Sequence, residues 1–306
     1  MKKSFLSRFK TDLKKNWILY VMMIPVIAYF VIFHYQAMYG ITLAFKDFHV
    51  KLGITGSPWT GFDHFERFFS SYNFWNLIKN TLTLSVYSLV VGFPIPIIFA
   101  LMLNYLRSNR LKKTVQMVSY APHFISTVVL CGMVTIFCNQ DTGVFNVILN
   151  ALGFESVNFL GKPEYFKHLH VLSGIWQSTG WSAIIYISAL AGVDYEMHEA
   201  AIVDGATKIQ RMIHIDLPSI KPTIIMMLIL RFGQIMSVGF EKVFLLQNDL
   251  NKSAASIIST YVYEVGLIDN NYGYSTAINL FNTIINVILL VSANKISKKL
   301  ADESLF

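Results

Sequence analysis

The sequence predicts an all-α protein that crosses a membrane six times, and three observations carry that expectation. The 306 residues are 54% hydrophobic and only 14% charged, with a mean hydropathy of +0.49, whereas soluble domains carry about a quarter charged residues. Six stretches are long and apolar enough to span a bilayer core of about 30 Å, which takes about 20 helical residues. Lys and Arg gather in alternate connections, the pattern that sets membrane orientation.

In chain order the expected spans are 17–35, about 81–103, 119–137, 172–193, 222–246 and 275–293. The first contains LYVMMIPVIAYFVIF. It is too long for a secretory signal and lacks a small-residue cleavage site. Pro25, Pro94 and Pro96 fall inside spans and are expected to kink them, which neighbouring helices tolerate in a bundle. Ahead of the first span, Phe5, Leu6, Phe9 and Leu13 recur at helical spacing among lysines. They predict an amphipathic helix over 1–15 lying on the inner leaflet, followed by a transmembrane domain over 16–306. Cys131 and Cys138 lie seven apart in one apolar stretch, roughly 10 Å along a helix axis. That is too far for a disulfide, and both read as buried apolar residues.

One side of the membrane receives Lys2, Lys3, Arg8, Lys10, Lys14 and Lys15, then Arg107, Arg110, Lys112 and Lys113. Lys208, Arg211 and Lys221 follow, and last Lys295, Lys298 and Lys299. The other side receives Lys46, Lys51, Arg67, Lys79, Lys162, Lys167, Lys242 and Lys252, spread over much longer loops. Both termini are therefore expected in the cytoplasm of a cell in whose membrane the chain is embedded. The net charge of +7 is assigned to topology, not to nucleic acid. The long outer loops 36–79, 138–171 and 247–274 are rich in aromatic residues. Loops beyond about 12–15 residues are usually functional or disordered, and the apolar content here predicts order, a short helix in TYVYEVGL (260–267) and an external partner.

Enzyme classes fare poorly. His198-Glu199 begins a zinc-protease pattern, but residue 202 is Ile, so H-E-x-x-H is incomplete. No G-x-S-x-G elbow and no other histidine pattern fit for a metal occurs. A G-x-x-x-x-G-K-[ST] phosphate loop is also missing, so no catalytic residue, metal or cofactor is expected in this chain. An ion-coupled carrier would call for inverted repeats and membrane carboxylates, of which Glu241 is the one candidate.

Between the fourth and fifth spans the chain reads EAAIVDGATKIQRMIHIDLPSIKP. Residues 197–203 are good helix formers, Gly205 supplies a turn free of a Cβ, and 207–213 form a second, amphipathic helix. Leu217-Pro218 is expected to end the element before the next span. This segment, about 195–221, resembles the coupling loop of binding-protein-dependent ABC importer permeases: EAA, three residues, G, nine residues, I-x-L-P. Glu199, Ala200, Ala201, Gly205, Ile215, Leu217 and Pro218 fill every fixed position. Further along, YAPHFIS (120–126) and TYVY (260–263) look like the carbohydrate-uptake branch, the LplB-type oligosaccharide and polysaccharide permeases.

The resemblance implies a type I importer permease pairing with a second, homologous permease and two copies of a cytoplasmic ATPase that binds ATP and Mg. It also implies an external binding protein that hands over a carbohydrate. Glu199, Ala200, Ala201, Asp204, Gly205, Ile215, Leu217 and Pro218 would then contact or position the ATPase. Glu199 would be the polar contact and Gly205 the bend, with Leu217 and Pro218 fixing the angle to the fifth span. A permease of the same family for an amino acid or phosphonate shares that loop.

Charged and amide groups at membrane depth are expensive and mark pathways or helix contacts. Arg231, Gln234, Ser237 or Val238, and Glu241 fall near one face of the fifth span, and Asn279, Asn282 and Asn286 near one face of the sixth. Trp176, Gln177, Ser178, Trp181 and Ser182 cluster in the fourth. Amides, a carboxylate and aromatic rings are the mixture that holds hydroxyl-rich ligands, so these faces are expected to line a path for a sugar.

Overall fold

The computed structural model describes residues 12–301. The expected interfacial helix over 1–15 falls mostly outside the described residues. The main helices are α1 (Trp17–Phe45), α2 (Asp63–Phe69), α3 (Phe74–Asn104), α4 (Asn109–Phe124), α5 (Thr127–Phe137) and α6 (Val144–Ala151). They continue with α7 (Pro163–Leu190), α8 (Tyr195–Val203), α9 (Lys208–Ser219) and α10 (Lys221–Phe232). Last come α11 (Phe240–Leu246), α12 (Ile258–Ile268) and α13 (Tyr272–Ala301). No strand occurs among the described residues; one isolated bridge joins Lys46 and Trp59. Three helices, α1, α3 and α13, are long and apolar enough to cross a membrane. The bent pairs α4–α5 and α9–α10 raise the number to five.

The chain divides into two units. The first takes the described residues up to Phe68 together with Val265–Leu280. Within it, α1 buries no side chain from Trp17 through Met38, which leaves a surface apolar but for His34 and Gln36 and suited to lipid or another helix. Beyond α1, Lys46 is buried rather than solvated as a loop cation. Its Nζ donates to the Ile54 carbonyl at 2.6 Å and lies 4.7 Å from the Trp59 ring centroid. Arg67 covers Tyr274 at 4.4 Å.

The second unit takes Phe69–Glu264 and the chain from Phe281. α7 is its central helix and packs on α3, α4, α5, α10 and α11. At 28 residues it is long enough to span, yet its polar face (Gln177, Ser178, Thr179, Ser182) keeps it out of the apolar class. A helix surrounded by protein has no need of an apolar circumference. Two apolar cores grip it. One gathers Leu84, Cys131, Val134, Phe166, Val171, Val243 and Leu246. The other gathers Ile97, Ala100, Leu101, Ala183, Tyr186, Leu190 and Ile220. Cys131 and Cys138 are both free and buried.

Two expected spans are broken. The stretch 119–137 bends by 97° between α4 and α5. Gly180 makes the close approach there possible, since a Cβ on it would lie 2.2 Å from the Ser119 carbonyl oxygen. Ser126 caps α5 by accepting from Val129 N, and Gln177 Nε2 donates to the Ile125 carbonyl at 2.8 Å. The stretch 222–246 ends as a helix at Phe232 and resumes at Phe240. Irregular backbone at membrane depth must be satisfied by protein. Here Asn286 Oδ1 accepts from Met236 N at 2.9 Å, Asn286 Nδ2 donates to Ser237 Oγ at 2.9 Å, and Ser85 Oγ donates to the Ile235 carbonyl.

The long loops are ordered by buried asparagines, a device that apolar content alone did not announce. Asn146 bonds the Asn139 and Val157 carbonyls and accepts from Val157 N. Asn251, fully buried, bonds the Leu160 and Leu246 carbonyls. A helix does occupy Ile258–Tyr263, continuing as a wider turn to Ile268.

Candidate functional site

α8 starts where the Asp194 side chain caps it, accepting from Glu196 N at 3.0 Å. It ends in a Schellman turn: Ala206 N donates to the Ala201 carbonyl at 2.8 Å and Gly205 N to the Ile202 carbonyl at 3.0 Å. Gly205 sits at φ +79° with open space where a Cβ would stand. Backbone conformation, not crowding, is what requires glycine there. Thr207 and Gln210 close a capping box on α9, with Gln210 N donating to Thr207 Oγ1 and Thr207 N to Gln210 Oε1 at 2.7 Å.

α9 is longer than the 207–213 the sequence predicts. It opens as an α-turn, widens over Met212–Asp216 into a π-turn and closes over Leu217–Ser219. Leu217 and Pro218 therefore lie inside the element rather than ending it. Pro218 has no N–H for the carbonyl of His214, and it follows directly on the widened turn. The turn into α10 comes at Ile220, with a 61° bend.

Glu199, Ala200, Asp204, Gly205, Leu217 and Pro218 are exposed and Ala201 is half-buried, whereas Ile215 is buried. Ile220 is fully buried in the core shared with α3 and α7, and Met212 packs against that core. The region thus has an exposed crest on a buried root.

A second feature lies between the two cores. Ser85, Ser88 and Gly92 of α3, His170, Gly174, Gln177 and Ser178 of α7, and Arg231 of α10 line a cavity of about 320 Å³. Gln234 and Ser237 of the broken segment and Lys242 of α11 complete the polar wall. No carboxylate lines it, while two cations do. Lys242 Nζ donates to the His170 carbonyl at 2.7 Å, and Gly174 leaves room for it, since a Cβ there would come within 3.1 Å of the ammonium nitrogen. His170 is buried and neither ring nitrogen has a hydrogen-bond partner among the described residues.

The cavity thus brings together Gln177, Ser178, Arg231, Gln234, Ser237 and Val238 of the residues expected to form a path, and leaves out Trp176, Trp181, Ser182, Glu241, Asn279, Asn282 and Asn286. Arg231, Gln234 and Glu241 do not share a helical face, because the helix stops at Phe232; Glu241 is exposed on α11 and does not line the cavity. Trp176 faces a separate apolar groove of about 680 Å³. Trp181 stacks on His123 at 4.4 Å with the rings 6° from parallel. Asn279 and Asn282 do not line the cavity either, and Asn286 supports the broken segment. Lys242 and His170 are the residues sequence reasoning missed. Lys242 was assigned to an outer loop, although a lysine within FEKVFLL is itself a signal of a buried, committed charge.

Residues 92–302 match the family described as binding-protein-dependent transport system inner membrane component. Protein LplB of Bacillus subtilis strain 168 is 44% identical over 294 residues, covering 96% of this chain and 92% of that protein. The polygalacturonan/rhamnogalacturonan transport system permease protein YteP of the same strain is 41% identical over 305 residues, covering 100% and 95%. A solved chain from a bacterial ABC transporter involved in the import of the acidic polysaccharide alginate superposes with a TM-score of 0.90. It is 41% identical, with 96% of this chain and 99% of that one covered. With two thirds of its length inside the family match and a capped, glycine-turned α8–α9 segment carrying EAA, G and I-x-L-P, the chain belongs to the inner membrane components of binding-protein-dependent transport systems.

Proposed function

We propose that this chain is the non-catalytic, membrane-spanning subunit of an ATP-driven importer and forms half of the translocation path for an oligosaccharide. In this reading α1, α3, the bent α4–α5 pair, α7, α10 with α11, and α13 are six crossings with both termini in the cytoplasm. The exposed crest of α8–α9 docks on a cytoplasmic ATPase that binds ATP and Mg. A second, homologous permease, a second ATPase copy and an external binding protein complete the assembly. The observation that carries the reading is the crest itself. Glu199, Ala200, Asp204 and Gly205 are presented to solvent by two capped helices whose root, Ile215 and Ile220, is buried. A surface so exposed and so rigidly based is suited to receive force from a partner.

The substrate side rests on the polar cavity. Its hydroxyls and amides suit sugar hydroxyls, and Arg231 and Lys242, with no carboxylate among the lining residues, suit an acidic sugar. YteP, named for polygalacturonan and rhamnogalacturonan, and the alginate importer are similar along nearly the whole chain, which favours an acidic oligosaccharide.

The test is ligand-stimulated ATP hydrolysis by the complex purified with its co-encoded ATPase and binding protein. Gly205→Val forces a β-branched residue to φ +79°. Left-handed backbone costs about 1–2 kcal/mol even for ordinary residues, so stimulation is expected to fall roughly tenfold. Undiminished stimulation in an assembled Gly205→Val complex would remove the coupling assignment.

A further inference from the structure

The α8–α9 motif leaves the residue between Ile215 and Leu217 open, and in this chain it is Asp216. It is the one fully buried carboxylate among the described residues. An ionised carboxylate taken out of water is costly unless partners compensate it, and here the partners come from two other elements. The Tyr105 hydroxyl, at the C-terminal cap of α3, donates to Asp216 Oδ2 at 2.5 Å. His198 Nε2, on α8, lies 3.2 Å from Asp216 Oδ1. The rings of Tyr105 and His198 meet edge-on at 6.5 Å, and the Arg211 guanidinium lies 5.7 Å from the centre of the Tyr105 ring. Burial, reinforced by the Asp216 hydrogen bond, pushes the Tyr105 hydroxyl above its ordinary range, so it remains a donor to the carboxylate.

The rest of α8 makes this cluster significant. No side chain of the helix is fully buried, and His198 and Ala201 alone are half-buried. His198 gives α8 a polar tie to the body of the unit. α9 is rooted by Ile215 and Asp216. α3 runs from Tyr105 back to Gly92, Ser88 and Ser85 on the wall of the polar cavity.

We infer that Asp216 is a positioning residue that clamps α8, through His198, and α9 to the end of α3, through Tyr105, so that force on the exposed crest reaches the helix lining the cavity. The inference rests on the coupling role proposed above for α8–α9. One buried acid therefore ties three elements into a unit that shifts together, with Tyr105 lying 111 residues and His198 18 residues before it in the chain.

The experiment reads transmission rather than stability. Ser88→Cys places a thiol on the cavity wall of the intact complex, and the native cysteines are buried. The rate of labelling by an impermeant maleimide is measured with and without ATP, alongside ATP hydrolysis. In Asp216→Asn and in His198→Gln, the ATP-driven change in labelling per ATP hydrolysed is expected to fall about tenfold, the size of losing one buried polar contact. The double variant should fall no further than Asp216→Asn alone, because His198 acts through that carboxylate. Asp216→Glu should recover part of the loss. A normal ratio in assembled His198→Gln overturns the clamp alone, as does a fall in the amount of complex with the ratio unchanged. If no ATPase co-purifies with the wild-type chain, the coupling reading fails first and the clamp with it.

Discussion

In the α8–α9 region the caps and turns are made by near neighbours along the chain. Asp194 caps the helix it precedes, Ala206 and Gly205 return their N–H groups to Ala201 and Ile202, and Thr207 trades hydrogen bonds with Gln210. The polar cavity is assembled the other way. Ser85, Gln177, Arg231 and Lys242 come from four helices, two of which exist because a span was interrupted. A device of the first kind depends on backbone geometry over a few residues. A device of the second kind depends on where breaks fall and on what satisfies the freed backbone groups.

The difference predicts where substitutions act. The largest effect is expected in the cavity. Arg231→Glu should lower uptake of a uronate tetrasaccharide in proteoliposomes about a hundredfold, since reversing a charge on the cavity wall removes an attraction and adds a repulsion. Uptake of a neutral tetrasaccharide by the same complex serves as the comparison. Equal transport of the acidic sugar by wild type and variant would separate the cavity from substrate recognition. Next in size is Gly205→Val, with its roughly tenfold loss of stimulated hydrolysis.

A smaller effect, on stability rather than on coupling, is expected at the break between α10 and α11. Asn286→Leu strips Met236 N and Ser237 Oγ of their partner. An unpaired buried donor costs about 1–3 kcal/mol, so thermal unfolding in detergent should move to lower temperature; an unchanged midpoint would mean that another group satisfies the break. The smallest is Thr207→Ala, where loss of the capping box should cost about 1 kcal/mol. Hydrogen exchange should then report faster opening at Lys208–Arg211 with little change in α10. If exchange rose equally along α10, α9 would not be a separately capped element.

The same contrast explains what was legible. Apolar runs located α1, α3 and α13, because a lipid-facing helix must be apolar around most of its circumference. They overran two breaks, since hydropathy counts side chains and is blind to whether the backbone stays helical. Pro122 with Ser126, and Gly233 with Gly239, were the available signals. Charge counting treated Lys46 and Lys242 as loop cations, yet both are buried on carbonyl oxygens supplied by other residues. The asparagine row of α13 was read as a path, and Asn286 instead braces the broken segment.

By itself the sequence determined that the chain is helical and membrane-embedded, and it determined the motif of α8–α9 down to the glycine. These follow from composition and from interactions within a few residues, which the chain carries wherever it folds. Only the tertiary structure decided that Gln177, Arg231, Gln234 and Lys242 share one cavity and that Tyr105 and His198 meet on Asp216. Gln177 lies 54 residues before Arg231 and Tyr105 93 before His198, and the approach that joins them is set by side-chain packing and by small residues such as Gly174 and Gly180 that admit a neighbour. No periodicity in one dimension records that fit.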